Sequence, residues 1–234
     1  MLKFETINEL TLKVTCTGND VLFTKAGAFI AGNNYGNKNY RFEKVLLGPQ
    51  NNIGQALLGQ IARRVTGENF PLMKVNLNGD SVTYYASYGQ HVVIYHLEHG
   101  ETISVESENI LAFTQDCDYS VRFIGVGVLS QKGLATSTLT ARGSNAYVAV
   151  LSDGNPIALS NITSGDTISV DPDAVICWVG NGHCDPQVKA DVSWKTFIGQ
   201  ASGESYQFEW PGNAGVTVII QPSERNGGIR VSMD

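Results

Sequence analysis

Apolar and polar residues alternate through most of this chain, and a period of two is the pattern of β-strands. In residues 102–106, Ile103 and Val105 share one face while threonine, serine and glutamate occupy the other, which predicts a strand with one face in water. Residues 146–151 are apolar on both faces, so they predict a strand that is covered on both sides. The fold class predicted by this patterning is all-β.

One segment departs from the alternation. Residues 52–65 repeat apolar side chains at intervals of four, between an asparagine that can cap a helix and a glycine that can end one. They predict one short helix near 52–65. Its apolar stripe can pack on the β body or contact a subunit or a membrane-associated partner. The residues of this candidate interaction surface are Ile53, Leu57, Ile61, Arg63 and Arg64.

The chain contains one segment twice. Residues 100–113 return at 165–178, an offset of 65 residues. Glycine, threonine, isoleucine, serine and valine recur at matching positions, acidic residues replace acidic residues, and the apolar tail of one copy matches that of the other. Every preserved position is one that a strand, a turn or a core requires, so the duplication predicts structural repeats.

Weaker echoes extend this repeat along the chain. We divide each repeat into two halves. A second half is a segment that resembles the duplicated one, and a first half consists of a glycine, a strand, a glycine turn and a more apolar strand. The first halves are 67–85, 133–150 and 203–220, and the second halves are 18–30, 100–113 and 165–178. When each first half is combined with the second half that follows it, the third first half has no partner downstream. We therefore expect the two chain ends to meet and complete it.

These observations predict a single compact domain, 1–234, with three pseudo-equivalent β units in a double-stranded β-helix-like or sandwich body. The predicted repeats are about 67–130, about 133–198, and about 203–225 completed by about 8–47. In strand terms, Val216–Ile220 is expected to pair with residues 10–14 or 21–23.

Composition narrows the function classes. Sixteen basic and 22 acidic residues give a net charge of −6, which makes nucleic acid an unlikely partner. No apolar run approaches the roughly 20 residues that span a bilayer, and the first ten residues lack a secretory pattern, so the expected location is cytoplasmic. The four cysteines have irregular spacing without a CxxC pair, which favours reduced thiols.

Several short motifs, in this order, resemble the altered-inheritance-of-mitochondria protein 24 family of mitochondrial biogenesis proteins, which has many bacterial members. The resemblance spans nearly the whole chain. The motifs are Ala26-Gly27-Ala28, Gly67-Glu68, Gly100-Glu101 leading to Leu111-Ala112-Phe113, Asp118-Tyr119, and Gly203-Glu204.

The resemblance implies three β units similar to the trp RNA-binding attenuation protein, often assembled as an oligomer. It supplies no catalytic residue, and the mitochondrial member is associated with inner-membrane organisation. The chain departs from the family pattern at Gly133-Leu134, where the acid is missing, and at Ser205, where glycine is usual. A ligand site shared with the family is therefore expected to be incomplete.

Candidate chemistry is sparse. A cupin-like metal site would need histidines from the set His91, His96 and His99 to converge with Glu98 or Glu101, but the strand period places His91 and His96 on opposite faces. The run from His183 to Asp185 could supply a thiol beside a base, although sequence neighbours rarely face one another. Carboxylates flank Cys117 and could support acid–base chemistry, but a turn explains them as well.

The leading functional prediction is a non-enzymatic, oligomeric scaffold or binding protein without a cofactor. A homo-oligomer is expected, with a trimer as the favoured state. The alternatives are a cupin-like small-molecule or metal-dependent enzyme and, by fold analogy alone, an RNA-binding protein. The sequence predicts no catalytic residue and no metal ligand.

Overall fold

The computed structural model describes residues 1–34, 39–45, 72–123, 135–182, 184–190 and 206–222. These residues form β-strands that pair antiparallel, together with two single-turn 3₁₀ helices, so the all-β prediction is confirmed. The predicted helix at 52–65, with Ile53, Leu57, Ile61, Arg63 and Arg64, lies outside the described residues.

After an initial strand, β1 (Leu2–Ile7), the strands fall into three runs of six, which we call units I, II and III. Unit I contains β2 (Thr11–Cys16), β3 (Asn19–Lys25), β4 (Phe29–Asn34), β5 (Tyr40–Val45), β6 (Leu72–Asn78) and β7 (Ser81–Tyr85).

Units II and III follow in the same order along the chain. Unit II contains β8 (His91–His96), β9 (Glu101–Val105), β10 (Ile110–Thr114), β11 (Cys117–Phe123), β12 (Ala135–Ala141) and β13 (Tyr147–Ser152). Unit III contains β14 (Ile157–Ser160), β15 (Ile168–Val170), β16 (Val175–Asn181), β17 (Gln187–Ala190), β18 (Tyr206–Trp210) and β19 (Val216–Ile220).

Strand pairing follows one rule in all three units. The first, sixth and third strands of a unit pair in that order, and so do its fourth, fifth and second strands. Four sheets result: β1-β2-β7-β4, β5-β6-β3-β10-β13-β8, β11-β12-β9-β16-β19-β14, and β15-β18-β17. The two central sheets are continuous because β3 pairs with β10 and β9 pairs with β16. We call these two pairs the formed junctions between units.

Local backbone features repeat with the strands. Gly18, Gly100 and Gly165 open the second halves with φ of 85°, 84° and 69°, a conformation that favours glycine because a Cβ is disfavoured there. The 3₁₀ helices at Ser107–Asn109 and Pro172–Ala174 occupy matching positions 65 residues apart. Each third strand also shifts its register by one residue, as a β-bulge does: at residue 30 in β4, 111 in β10 and 176 in β16.

The prediction that the chain ends pair is wrong. β19 pairs with β16 and β14, whereas residues 21–23 lie in β3, which pairs with β6 and β10, and β2 pairs with β1 and β7. The half-units were recognised but combined in the wrong order. Each second half pairs with the first half that follows it, as β3–β6, β9–β12 and β15–β18 show, so the third first half already has its partner upstream.

Three apolar cores hold the sheets together. The core of unit I also includes Leu111, Ala112, Ala149 and Leu151 of unit II. The core of unit II likewise includes Ile176, Cys177, Val179 and Ile219 of unit III. The third core consists of unit III residues, among them Trp178, Phe208 and Trp210. Residues 146 and 148–151 are each 0% exposed, which confirms the predicted core strand there.

One predicted wet face is wrong. Thr102 and Ser104, expected to point into water, are 3% and 2% exposed. Their hydroxyl groups have polar partners, since Thr102 Oγ1 lies 3.0 Å from Thr140 Oγ1 and Arg122 Nη2 donates to Ser104 Oγ at 3.3 Å. Hydrogen bonds make burial of these hydroxyls tolerable, and the sequence pattern contains no sign of them.

Candidate interaction site

A cavity of about 220 Å³ opens at the corner between β3 and β4. Its walls come from the end of β3, the turn to β4, and the neighbouring strands β5 and β6. Three large apolar side chains supply most of the contact surface. The lining residues are Thr24, Lys25, Gly27, Phe29, Phe42 and Met73. Apolar walls with one lysine among the lining residues are suited to an apolar group that carries a negative charge, or to a side chain of a partner protein.

Lys25 is the charged group of this cavity. Its ammonium Nζ donates a hydrogen bond to the backbone carbonyl of Glu108 at 2.8 Å, which links unit I to unit II. Burial lowers the pKa of Lys25, although the nearby carboxylates of Glu108 and Asp153 act in the opposite direction. An anion bound in the cavity would stabilise the charged form of this lysine.

The cavity adjoins a strand with an uncovered edge. Among the described residues β4 pairs with β7 alone, so its other edge has no strand beside it. Ile30 on this strand is 56% exposed, and Ala31, Gly32 and Asn33 are exposed as well. Such an edge is a ready template for another strand. We refer to the cavity and this edge of β4 together as the open end of unit I.

The histidines do not converge. His96 Nε2 donates to the carbonyl of Ser144 at 2.9 Å, and its ring stacks on Tyr147. His99 Nδ1 donates to the carbonyl of Arg142 at 3.0 Å, and His91 Nδ1 lies 4.0 Å from Glu9 Oε2. The predicted opposition of His91 and His96 is confirmed, because their strand β8 alternates between two cores.

The acidic candidates hold turns. Glu101 Oε2 accepts the backbone N–H of Glu98 at 3.0 Å. Asp116 Oδ2 accepts the backbone N–H of Asn145 at 3.1 Å, and Asp118 pairs with Arg142 at 2.9 Å. Within the described ranges, no group of three or more His, Cys, Asp or Glu side chains is placed to hold a metal ion.

The thiols are poor nucleophiles at neutral pH. Burial raises the pKa of both Cys117 and Cys177 to about 12. Burial, and then the Asp185 carboxylate, raise the pKa of Cys184. Its sulfur lies 3.6 Å from the carbonyl oxygens of Asn181 and Ala214, consistent with weak hydrogen bonds donated by the thiol. The histidine of the predicted pair, His183, lies outside the described residues.

One polar cluster was not foreseen. Arg122 on β11 forms a two-pronged ion pair with Asp185, with nitrogen–oxygen distances of 2.9 and 2.7 Å, and its Nε donates to Thr138 Oγ1 at 3.0 Å. The pair ties unit II to unit III above the buried hydroxyls of the third sheet. The two residues are 63 positions apart in a pattern of ordinary surface charges, so no local signal could have identified them.

The five residues predicted as an interaction surface are not described, and the cavity beside Lys25 uses none of them. Sequence reasoning missed this cavity because its lining comes from three separate segments of the chain, around residues 24–29, 42 and 73. The one local hint was the Ala26-Gly27-Ala28 turn, which places the end of β3 beside the start of β4.

Comparisons with known proteins give one family and one solved structure of similar fold. A family model described as Mitochondrial biogenesis AIM24 matches residues 4–223. The crystal structure of protein SPYM3_0169 from Streptococcus pyogenes is similar with a TM-score of 0.66 and 17% identity, over 96% of this chain and 94% of that one. None of the curated proteins compared with the chain matches it. At this identity the structural likeness shows the fold alone.

Helices are few and short in the described part of the chain. None of its helices has the length and apolar character that crossing a bilayer requires.

Proposed function

The chain belongs to the mitochondrial biogenesis AIM24 family, and on that premise we propose that it is a non-enzymatic, oligomeric scaffold or binding protein. One observation carries the proposal: the open end of unit I presents apolar surface, with Ile30 56% exposed, beside a strand edge that no other described strand pairs with. Contiguous apolar surface rimmed by polar groups is typical of a protein interaction site.

The chemistry of the other candidate residues supports the same proposal. His96, His99, Glu101 and Asp116 each form hydrogen bonds with backbone groups of their surroundings. A general acid, a base or a nucleophile needs a neighbouring group that activates it and a place for substrate beside both. These side chains hold loops in place instead, which is the role expected in a scaffold.

Light scattering coupled to size exclusion tests the assembly. We expect a homo-oligomer at micromolar concentration, with a trimer as the favoured state. A monomer throughout the accessible concentration range would contradict the scaffold proposal.

A fluorescent apolar anion, anilinonaphthalene sulfonate, tests the cavity. We expect Lys25→Met to weaken its binding, because the sulfonate loses the adjacent ammonium group. The matched control is Lys189→Met, at an exposed lysine of the fourth sheet, and it should bind the probe as the unaltered chain does. Equal loss in both variants, or no binding at all, would argue against the cavity as the site.

The alternatives predict other results. A cupin-like enzyme would copurify with stoichiometric zinc, iron or manganese, and an RNA-binding protein would bind RNA in a strongly salt-dependent manner. A cytoplasmic location and a membrane-associated partner remain part of the proposal. Four free cysteines support the first, and the predicted helix at 52–65 motivates the second.

A further inference from the structure

Three units would form three junctions if the third unit also joined the first, but the described residues form two. The second strand of unit I pairs with the third strand of unit II, and the second strand of unit II pairs with the third strand of unit III. The same rule would join β15 of unit III to β4 of unit I. Among the described residues, β15 pairs with β18 alone and β4 pairs with β7 alone. Within the described ranges, each of these two strands therefore has one edge without a neighbouring strand, and it is the edge that its counterparts use at the formed junctions.

Exposure differs sharply between β4 and its counterparts. The bulged residue of the third strand is Leu111 in unit II and Ile176 in unit III, and both are 0% exposed. Its counterpart in unit I, Ile30, is 56% exposed. Leu111 belongs to the core of unit I, and Ile176 to the core of unit II, so each bulged residue fills the core of the unit before it.

The matching strand of unit III is exposed in the complementary way. β15 and the residue before it have the same sequence as 102–105, Thr-Ile-Ser-Val. Thr102 and Ser104 are 3% and 2% exposed, but Thr167 and Ser169 at the identical positions are exposed. The third core also lacks any residue of a following unit among its described members. Identical residues are covered at the formed junction and uncovered here.

We propose that β4 of one copy of the chain pairs antiparallel with β15 of a second copy, which reproduces the formed junctions between molecules. This inference rests on the proposed scaffold function and names its interface. The first sheet of one copy and the fourth sheet of the next become one seven-stranded sheet. Ile30 enters the core of the neighbour's unit III, as Leu111 and Ile176 enter the cores of the units before them.

The formed junctions also give the register of this contact. Cys177 lies opposite Val105, and Ala112 lies opposite Thr24, at the residue just after each bulge. The equivalent pair between molecules is Ala31 with Val170, followed by Gly32 with Ser169. Because two different surfaces meet, the assembly is head-to-tail, and it closes as a ring if the rotation between copies permits.

Two single variants and their mixture test the inference. Ile30→Glu and Ser169→Glu each replace a side chain that is exposed in the free chain but covered in the proposed contact. A carboxylate buried there without a partner is costly, so each variant alone should be monomeric. An equimolar mixture should form dimers, since each variant retains the surface that the other has lost. Native mass spectrometry distinguishes these species directly.

Matched controls separate this interface from other edges and from misfolding. Ile157→Glu alters a residue that is 48% exposed on β14, the edge strand of the third sheet, and it should leave the oligomer intact. The circular dichroism spectra of both junction variants should match that of the unaltered chain, and each variant should unfold cooperatively at a midpoint that does not change with protein concentration. If Ile30→Glu is unfolded, Ala31→Glu at the adjacent exposed position repeats the test.

The outcomes separate this inference from the scaffold proposal. Folded Ile30→Glu and Ser169→Glu variants that remain oligomeric would overturn the β4–β15 contact and leave an oligomeric scaffold standing. Folded monomeric variants whose mixture stays monomeric would overturn the head-to-tail arrangement. A monomeric unaltered chain would overturn both proposals.

Discussion

The third strand has the same place in each of the three units, but its surroundings in unit I differ from those in units II and III. β10 is buried along its whole length, and β16 is buried from Val175 to Gly180. β4 is exposed from Ile30 to Asn33. The difference lies in what covers each strand, because β3 and β9 lie beside β10 and β16. A repeat therefore determines the path of the chain, whereas burial depends on the neighbour that each copy acquires.

Side chains have adapted to this difference. Two positions after the bulged residue, unit II has Phe113 and unit III has Trp178, but unit I has Gly32. The ring of Tyr40 occupies the space beside this glycine, since a Cβ added there would lie 2.7 Å from a ring carbon of Tyr40. Unit I thus fills its core at this point with a side chain from β5 instead of one from its third strand.

The largest expected effect compares the bulged residues directly. Leu111→Ala should lower the free energy of unfolding by about 2–5 kcal/mol, because it leaves a cavity in a filled core. Ile30→Ala in the monomeric state should cost less than about 0.5 kcal/mol, since this side chain is already in contact with water. Urea denaturation followed by tryptophan fluorescence measures both values. Equal losses would mean that Ile30 is buried in the monomer.

The second effect tests whether the ring of Tyr40 fills the space that a larger side chain on the third strand occupies in the other two units. Gly32→Ala should destabilise the chain by about 1–3 kcal/mol, because the new methyl group overlaps the ring of Tyr40. The double variant Gly32→Ala with Tyr40→Ala should show no further loss from the glycine change, as the ring is gone. Thermal or urea unfolding of the two single variants and the double variant measures this coupling. Additive losses would show that Tyr40 does not fill the space at Gly32.

The sequence predicted the fold well wherever its pattern was periodic. Alternation predicted the strands, and the 65-residue offset predicted equivalent positions in two units. The structure shows that the bulges and the 3₁₀ helices also lie at this offset, which was not predicted from the sequence. The sequence did not show which half-units pair. In an alternating series of first and second halves, each half can be assigned to the half before it or to the half after it, and the repeat is the same in both cases. The wrong pairing of Val216–Ile220 follows from that ambiguity.

The site was less accessible to sequence reasoning. Phe29, Phe42 and Met73 line one cavity, but they lie on three strands with no shared motif. Exposure of Ile30 is equally invisible, since the same alternation buries Leu111 and Ile176. Both features depend on which strands become neighbours, and that is a property of the assembled fold.

A third prediction measures the polar contribution to a formed junction. The ion pair between Arg122 and Asp185 joins unit II to unit III, and the two side chains are 21% and 37% exposed. A double-mutant cycle with Arg122→Ala and Asp185→Ala should give a coupling of about 0.5–1 kcal/mol, reduced by solvent screening. The coupling should decrease as salt concentration rises. A coupling of zero at low salt would show that the ion pair adds nothing to the backbone pairing and apolar contacts of this junction.

The smallest expected effect concerns Lys25, whose ammonium crosses the other formed junction to the carbonyl of Glu108. Burial lowers the pKa of Lys25 in the folded chain. At pH values between that lowered pKa and the usual lysine pKa of about 10.4, the unfolded chain therefore binds more protons than the folded chain. In this window the free energy of unfolding should rise with pH, and below it the contribution of Lys25 should be constant.

Tyrosines with raised pKa, such as Tyr85, act in the opposite direction at alkaline pH, so the useful quantity is the difference in free energy of unfolding between the unaltered chain and Lys25→Met. That difference should increase through the window, whereas Lys189→Met should give a flat difference. A flat profile for Lys25→Met would mean that the ammonium is as well solvated at this junction as in the unfolded chain, and that the cavity beside it is open to water.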